Sequence, residues 1–432
     1  MRLGFHIRSL VKYSMLVASF ILGFHFMSRM QPRRPSSGSL RFPDVHEENG
    51  FKHCRALFRK KDGATAEFWK RAEQRQTANR RSREVEQFLT NRCDKSSCET
   101  FIRERRYITD PITDEEAAFP IAFSILIYKD LERFERLLRM IYRPQNYYCV
   151  HVDAKSPGEF AAAVTDIAGC FPNVFLSSRR YDVRWGEISV LDADLRCMRD
   201  LLRVSKRWKY FINLTGQEAP LKTNYELVKI LKIYNGANDV EGTIKRRNVQ
   251  RFSYAKDHPV PINVTLVKGS VHITASRAFV EFVIGDKKAI QLRDWLSHAR
   301  IPDEALFSTL QHNPQLGTPG AYTGPEHETD PVKLPFITRF KNWGSYPFAY
   351  PCPGGRRRRS ICMLSIGDLP ILSRRPELFA NKFLPEHSPL AYDCLEELHF
   401  NHTRDDYAPT PASRRSYNFM VYESLPFVLH HT

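Results

Sequence analysis

Apolar positions beyond residue 118 alternate between short continuous runs and amphipathic stretches. A continuous apolar run of strand length is typical of a buried strand, whereas apolar residues three and four apart mark one face of a helix. Asp130 stands where it can cap the first such helix, whose apolar face carries Leu131, Phe134, Leu138 and Ile141. The pattern predicts strands at Ile121–Tyr128, Tyr147–Val152, Asn173–Leu176 and Trp208–Leu214, and helices at Asp130–Tyr142, Pro157–Ala168 and Ser189–Val204.

This order of elements predicts an α/β fold, in which helices cover a mostly parallel sheet whose strands are apolar on both faces. Ligands of such sheets bind beyond the carboxyl ends of the strands. Asp153 follows one predicted strand, and Thr215 to Glu218 follow another. The sequence has no GxGxxG, GxxxxGK[ST], GxSxG or HExxH motif, which argues against dinucleotide, P-loop, common hydrolase and zinc-protease sites.

The N-terminus carries one apolar stretch, Tyr13 to Met27, flanked by basic residues. Counting the snorkelling stem of Lys12, residues 10–28 are long enough to cross a bilayer as a signal anchor. A cleaved signal peptide is the alternative, although no small-x-small cleavage site follows Met27. The anchor predicts a cytosolic tail at 1–9, a lumenal stem and pre-domain at 29–115 with a charged helix at Glu67–Glu86, and a catalytic domain at 116–432.

The formal net charge of +17 is concentrated near the N-terminus. Residues 1–60 hold 11 Lys and Arg against 3 Asp and Glu, and residues 61–110 hold 12 against 9. The domain that follows is therefore only modestly basic. A nucleic-acid-binding protein is disfavoured by this distribution and by the apolar anchor, and a mean hydropathy of -0.43 excludes a polytopic membrane protein.

Nine cysteines and three N-x-S/T sequons fit a chain that enters the secretory pathway. Cys352 and Cys362 can close a small loop, but spacing alone pairs none of the others, and a metal site at Cys93 and Cys98 has little support. The apolar run around the first sequon is also typical of a buried, unmodified asparagine. The predicted glycosylation sites are Asn213, Asn263 and Asn401.

Several segments, in order, resemble the core-2/I-branching β1,6-N-acetylglucosaminyltransferases, glycosyltransferase family 14. They extend from about Phe119 to Cys394 and include WKYFINLTGQEAPLKTN, PDEALFSTLQ, RRRRSICMLSIGDL and LFANKF. The resemblance implies a type II Golgi membrane protein whose lumenal domain has a GT-A-like, Rossmann-like fold. The predicted anchor, stem and α/β domain agree with it.

The resemblance implies that Glu304, in the PDE motif, is the catalytic base. An inverting transfer must deprotonate the acceptor hydroxyl while it attacks the anomeric carbon, and a partly desolvated carboxylate suits that step. The alternative is that Pro302, Asp303 and Glu304 only begin a helix, where acidic residues favour the N-terminal dipole.

The family needs no metal, and the resemblance places the cations for the donor's diphosphate at Arg359 and Lys382. Arg356 to Arg358 are expected to be solvated, with Arg359 alone directed inward. Asp192 and Asp194 form a literal D-x-D but lie two apart on a predicted helix, so we reject a metal site there. Asp153 matches a nucleotide-contacting position, although an aspartate that ends a strand is also a common turn residue.

On the acceptor side the resemblance implicates Glu241, Arg251, Trp343 and Tyr346. The segment before Arg251 is shorter here than in relatives, and Trp343 could equally serve packing. The stretch that begins at Trp185 departs from the usual sequence of the branching enzymes at this point. Thr215 stands where many relatives have a free cysteine, so their thiol sensitivity does not carry over.

The family's disulfides imply the pairs Cys54–Cys394, Cys98–Cys170, Cys149–Cys197 and Cys352–Cys362. Cys93 is then left over as a free or intermolecular thiol, which would allow a covalent homodimer.

The resulting expectation is a Golgi enzyme that moves GlcNAc from a UDP donor to the 6-hydroxyl of GalNAc in core 1 O-glycans and needs no cofactor. Alternatives are a UDP-glucose donor, I-branching or xylosyl transfer, and a silent, lectin-like member of the family. Retention of Glu304, Arg359 and Lys382 together argues against the lectin.

Overall fold

A computed structural model describes residues 54, 57–58, 95–244, 249–325, 334–344, 350–384, 386–408 and 414–432. The predicted anchor, stem helix, Cys93 and Tyr346 lie outside these ranges. No helix within them combines the length and apolar character needed to cross a membrane.

From residue 95 onward, the described ranges contain the helices α1 to α13 in chain order: Lys95–Glu104, Asp114–Ala118, Leu131–Ile141, Gly158–Gly169, Ser189–Val204, Asn224–Tyr234, Arg277–Gly285, Lys287–Leu296, Leu306–Gln311, Leu369–Leu372, Pro389–Asp406, Met420–Glu423 and Pro426–Leu429. The strands in the same ranges are β1 to β11: Ile121–Ile127, Tyr147–Val152, Val174–Leu176, Tyr210–Thr215, Glu218–Pro220, Asp239–Val240, Ile273–Ser276, Arg339–Phe340, Arg357–Arg358, Ile361–Cys362 and Phe379–Asn381.

The central sheet has six strands in the order β3-β2-β1-β4-β7-β6. The four strands β3, β2, β1 and β4 are parallel, and β7 runs antiparallel to both of its neighbours. The predicted α/β class and mostly parallel sheet are therefore correct. Asp130 caps α3 as predicted, since its Oδ1 accepts a hydrogen bond from the Arg133 amide at 3.2 Å.

Alternation along the central strands buries both faces of the sheet. In β1, Phe123 and Ile125 pack with α3, α4 and α6, while Ala122 faces the opposite core of α5, α7 and α8. In β4, Ile212 and Phe211 divide in the same way. Two hydrophobic layers therefore fix this sheet between helices.

A second, three-stranded sheet, β5-β11-β8, builds the neighbouring part of the domain. Asn381 of β11 is paired with Glu218 of β5, and Phe379 with Arg339 of β8. Because β5 follows β4 after two residues, this small sheet begins at the carboxyl end of the central one.

The structure joins the same four cysteine pairs that the resemblance implies. Cys54 is bonded to Cys394 of α11, 340 residues away, and Cys149 of β2 is bonded to Cys197 of α5. These bridges tie the pre-domain to α11 and the central sheet to a covering helix.

The prediction of a glycan at Asn213 is corrected by its packing. Asn213 is buried in β4, where Nδ2 donates to Asp194 Oδ2 at 2.9 Å and to the Val271 carbonyl at 2.7 Å. Its Oδ1 accepts from the Ile273 amide at 2.8 Å. A side chain engaged at both atoms leaves no free amide in the folded chain, whereas Asn263 is exposed and Asn401 half-buried.

Helix α3 is fastened to α11 by a buried ion pair. Arg136 donates to Glu396 Oε2 at 2.6 and 2.9 Å, and their side chains are only 7% and 5% exposed. Replacing Arg136 with Ala should lower the free energy of unfolding by about 2 kcal/mol, because the buried Glu396 carboxylate loses one of its two arginine partners and keeps only Arg139. Chemical denaturation of the oxidised domain measures this.

The matched control is Glu281→Ala, which breaks an exposed pair with Arg277 and should cost less than about 1 kcal/mol. Equal losses in the two variants would contradict the importance assigned to the α3–α11 contact.

Candidate active site

The predicted catalytic carboxylate lies on a 3₁₀ turn, Pro302–Glu304, directly before α9. Ile301 precedes it with a left-handed backbone, φ +58°, and donates its amide to the Gly186 carbonyl at 2.9 Å. The Glu304 carbonyl accepts from the Gly269 amide at 2.7 Å. Two loops therefore hold this turn by its backbone, so the side chain of Glu304 is not needed to maintain it.

Two cations lie beside the Glu304 carboxylate. Arg251 Nη1 is 2.6 Å from Oε2, and Lys268 Nζ is 3.7 Å from the same oxygen. The Glu304 side chain remains 29% exposed. A partly desolvated, oriented carboxylate that solvent can still reach has the geometry of a general base.

Of the predicted acceptor residues, Arg251 contacts this carboxylate and Glu241 lies near the turn through Gly269. Arg251 belongs to the 3₁₀ segment Val249–Lys256, and its carbonyl accepts from the Arg300 amide at 3.0 Å. Glu241 follows β6, and its carbonyl packs so closely on Gly269 that a Cβ there would collide with it. Gly269 therefore permits the close approach of the Glu241 and Glu304 backbones.

The third described acceptor residue, Trp343, is 45% exposed. Its neighbour Asn342 is fixed, since Oδ1 accepts from the Gly344 amide at 2.9 Å and Nδ2 donates to the Pro351 carbonyl at 2.8 Å. An exposed indole on an anchored backbone can present a flat face to a sugar.

The predicted donor cations are brought together by the small sheet and a hairpin. Lys382 follows β11, and its carbonyl accepts from the Leu364 amide at 2.9 Å. Leu364 directly follows Met363, whose amide bonds to the Arg356 carbonyl at 2.8 Å. Arg359 and Ser360 form the turn of the β9–β10 hairpin, with φ of +50° and +67°.

The arginine run does not divide into three solvated residues and one directed inward. Arg356 to Arg359 are all exposed, and the Arg359 guanidinium lies 4.1 Å from the ring centroid of Trp185. That expectation is wrong because a two-residue hairpin turn projects from the surface. The Arg359 guanidinium instead contacts the indole of Trp185. The sequence singles out Trp185 only because its segment differs from that of the branching enzymes.

Lys382 lies in a crowded positive environment. Burial lowers the pKa of its ammonium, and the charges of Arg358, Lys341 and Arg359 lower it further, while Glu218 opposes them. The repulsion between neighbouring cations is relieved when an anion binds between them. This cluster is therefore suited to a diphosphate.

Asp153 has the turn role that was the alternative to nucleotide contact. It is buried after β2, and its Oδ1 accepts from the Lys155 amide at 2.8 Å and from Lys155 Nζ at 3.1 Å. Arg180 donates to its carbonyl at 2.7 Å. These contacts shape the loop between Asp153 and Trp185, and the nucleotide contact stays a prediction.

The two aspartates of the D-x-D face different partners. Asp192 pairs with Arg293 at 2.7 Å, whereas Asp194 is buried and accepts from Ser124 Oγ at 2.6 Å. Within the described ranges no three His, Cys, Asp or Glu side chains are grouped as a metal would require.

The family motifs assigned no role to four charged or polar neighbours of the site: Lys341, Asp303, Glu218 and His272. Asp303 and Glu218 stand in segments that the sequence did single out. Lys341 follows β8. Burial lowers the pKa of its ammonium, and the charges of Glu241, Glu304 and Glu218 only partly oppose that lowering. Position relative to Trp343 and Lys382 is the only signal that could have identified it, because its sequence neighbours form no recognised motif.

A family model described as Core-2/I-Branching enzyme matches residues 121–369. The chain belongs to this family. It is 40% identical over 323 residues to human beta-1,3-galactosyl-O-glycosyl-glycoprotein beta-1,6-N-acetylglucosaminyltransferase 3, covering 69% of this chain and 72% of the relative. A second human protein of that name without the numeral is 38% identical, covering 71% and 76%, and one from bovine herpesvirus 4 is 39% identical, covering 69% and 72%.

All the described site elements from Asp153 to Arg359 fall inside the range matched by the Core-2/I-branching family, and Lys382 lies just beyond it. The family assignment therefore covers the 3₁₀ turn, both sheets except β11, and the arginine hairpin.

Asp303 makes this branching-enzyme domain sensitive to pH. Burial, and then the charge of Glu304, raises the pKa of Asp303 to about 7. Since the folded value exceeds the ordinary one, its contribution to stability is present in acid and is lost as pH rises towards 7. Asp303→Asn should therefore stabilise the domain more at about pH 8 than at about pH 4.5, by about 2 kcal/mol or more.

Denaturant unfolding of both proteins at the two pH values measures this difference. A stability difference independent of pH would show that Asp303 is ionised in the folded chain under both conditions.

Proposed function

We propose that this chain is an inverting β1,6-N-acetylglucosaminyltransferase that extends core 1 O-glycans, Galβ1-3GalNAc, at the 6-hydroxyl of GalNAc. The observation that supports this most strongly is a carboxylate flanked by cations, Glu304, together with a separate cationic cluster around Lys382, the two being linked by Lys341, on which Glu304 acts and which acts on Lys382. The relatives named above carry that activity in their names.

Glu304 removes the proton of the attacking hydroxyl. Arg251 and Lys268 hold its carboxylate by Oε2, so the carboxyl group is oriented before the acceptor arrives. The hydroxyl oxygen then forms its bond to the anomeric carbon while the bond to the diphosphate breaks on the opposite face. Inversion at that carbon gives the β linkage.

Lys382 and Arg359 stabilise the UDP leaving group. Guanidinium and ammonium charges compensate the negative charge that develops on the diphosphate, as a divalent metal does in other enzymes. We propose that catalysis needs no metal and no other cofactor, and that the donor is a UDP-sugar with Asp153 near its nucleotide.

Glu241, Arg251, Trp343 and Tyr346 contact the acceptor disaccharide in this proposal. The exposed indole of Trp343 offers a stacking face for a pyranose ring, and the carboxylate of Glu241 accepts hydrogen bonds from sugar hydroxyls. Residues 10–28 anchor the protein in the Golgi membrane with its catalytic domain in the lumen. Cys93 allows a covalent homodimer there.

A donor-by-acceptor assay of the secreted domain tests the function. UDP-GlcNAc, UDP-glucose and UDP-xylose are each offered with core 1 disaccharide, an I-antigen precursor and a serine peptide. The proposal expects transfer from UDP-GlcNAc to core 1 and a β1,6 linkage in the product. Preference for another donor or acceptor would replace that part of it, and glycan binding without turnover would identify a lectin.

Replacing Glu304 with Gln should reduce kcat by about 10²- to 10⁴-fold, because the amide cannot accept the hydroxyl proton. The dissociation constant for UDP should change little, since Glu304 lies with acceptor-side residues. Steady-state kinetics and calorimetric UDP titration measure the two quantities, with Glu281→Gln as a surface control. Full turnover by Glu304→Gln would remove this residue as the base.

Replacing Lys382 or Arg359 with Ala should raise the KM for the UDP-sugar at least about tenfold, because each removes a charge that faces the diphosphate. Arg356→Ala is the matched control, since this exposed arginine pairs at 4.0 Å with Glu386 instead. Wild-type activity should also survive EDTA. Unchanged donor kinetics, or a strict Mn²⁺ requirement, would contradict the two-cation account.

A further inference from the structure

A buried polar chain connects the two sides of the candidate site. On the acceptor side, Lys341 Nζ donates to Ser270 Oγ at 3.1 Å, and the Ser270 hydroxyl lies 3.4 Å from His272 Nδ1. His272 Nε2 lies 2.8 Å from Glu218 Oε1. On the donor side, Asn381 Nδ2 donates to that same oxygen at 3.3 Å, and Asn381 directly precedes Lys382.

This series of polar side chains is enclosed by the fold. Glu218 is fully buried, and Ser270 and His272 are 3% and 7% exposed. The pairing of Asn381 with Glu218 in the small sheet fixes the donor end, and β7, which begins one residue after His272, fixes the other. Side chains so confined have one arrangement, so they can transmit position from one side of the cleft to the other.

The charges favour one protonation state. Burial lowers the pKa of His272 to about 3, so its imidazole is neutral. Burial alone would raise the pKa of Glu218. Arg339, which lies 3.4 Å from Oε1, and His272 lower it by more than burial raises it, so the pKa lies below its usual range. Glu218 is therefore a buried anion among cations.

We propose that Glu218, His272 and Ser270 form a positioning unit that holds Lys341 on the acceptor side and Lys382 on the donor side of the candidate site. None of the three touches substrate; each acts through a lysine. The alternative is that they only stabilise the fold. Their kinetic effect depends on the proposed function, whereas the state of the two lysines does not.

The unit predicts the chemical reactivity of both lysines. The charged groups that act on Lys382 are Arg358, Lys341, Arg359 and Glu218. Those that act on Lys341 are Glu241, Arg339, Glu304 and Glu218. Glu218 favours the protonated ammonium of each. Glu218→Gln removes that charge, so more unprotonated amine is present and both lysines should acylate faster.

Trace labelling of the folded lumenal domain with acetic anhydride, read by peptide mass spectrometry, tests this at about pH 8. In Glu218→Gln we expect labelling of Lys341 and Lys382 to rise at least about threefold, with Lys232, which is exposed, as internal reference. In Ser270→Ala, which removes the partner of Lys341, only Lys341 should gain reactivity.

The kinetic readout separates positioning from stability. Glu218→Gln should raise the KM for the donor about fivefold or more, and Ser270→Ala should raise the KM for the acceptor while leaving the donor KM unchanged. Asp406→Asn is the matched control, because it alters a buried carboxylate bonded to Thr223 and remote from these lysines. It should change neither the labelling of these lysines nor either KM.

Unchanged labelling of both lysines in a folded Glu218→Gln protein would overturn the proposal. If that variant does not fold, unchanged Lys341 labelling in Ser270→Ala overturns it, and selective gain supports it. An inactive wild type would refute the proposed function, but the labelling results would still decide the positioning unit.

Discussion

The positive charges of Arg358, Lys341 and Arg359 act on Lys382, and that of Arg339 acts on Lys341, so the cations of the small sheet and of the arginine hairpin repel one another. The buried carboxylate of Glu218 opposes that repulsion. It lies 3.4 Å from Arg339 Nε, and its charge partly opposes the lowering of the pKa values of Lys341 and Lys382 that burial causes. An anionic ligand bound beside these cations would complete the compensation.

The two sheets divide the work of the site. The central sheet, buried on both faces, gives the rigid edge from which the loops after β2 and β4 extend. Lys341 and Lys382 follow neighbouring strands of the small sheet, while the backbone contacts of Ile301 and Gly269 fix the turn that carries Glu304. The proposed base thus depends on loops fixed by backbone hydrogen bonds, and the proposed diphosphate site depends on strand pairing.

The fold was predictable where apolar period and length agreed. Tyr147–Val152 and Ser189–Val204 match the prediction at both ends. The strand predicted at Trp208–Leu214 begins at Tyr210, because Trp208 is buried by packing before the strand and donates Nε1 to the Leu201 carbonyl at 3.1 Å. Burial, not strand pairing, explains its apolar character.

The site was only partly predictable from the chain. Glu304 and Arg251 carried family motifs or positions, and the structure brings them within 2.6 Å. Lys341 carried none, since its relation to Glu241 and Lys382 arises from strands of two and three residues, too short to show a period. Asn213 bonds to Asp194 and Val271, which are distant from it in sequence. The sequon alone therefore could not exclude a glycan at Asn213.

The central claim is that Lys382 and Arg359 bind a diphosphate opposite Glu304 without a metal. A crystal structure of the lumenal domain with UDP, grown with a divalent cation present, tests it most directly. The account predicts diphosphate oxygens within hydrogen-bonding distance of Lys382 Nζ and the Arg359 guanidinium, with no metal between them. A diphosphate bound through a metal, or away from both side chains, would contradict it.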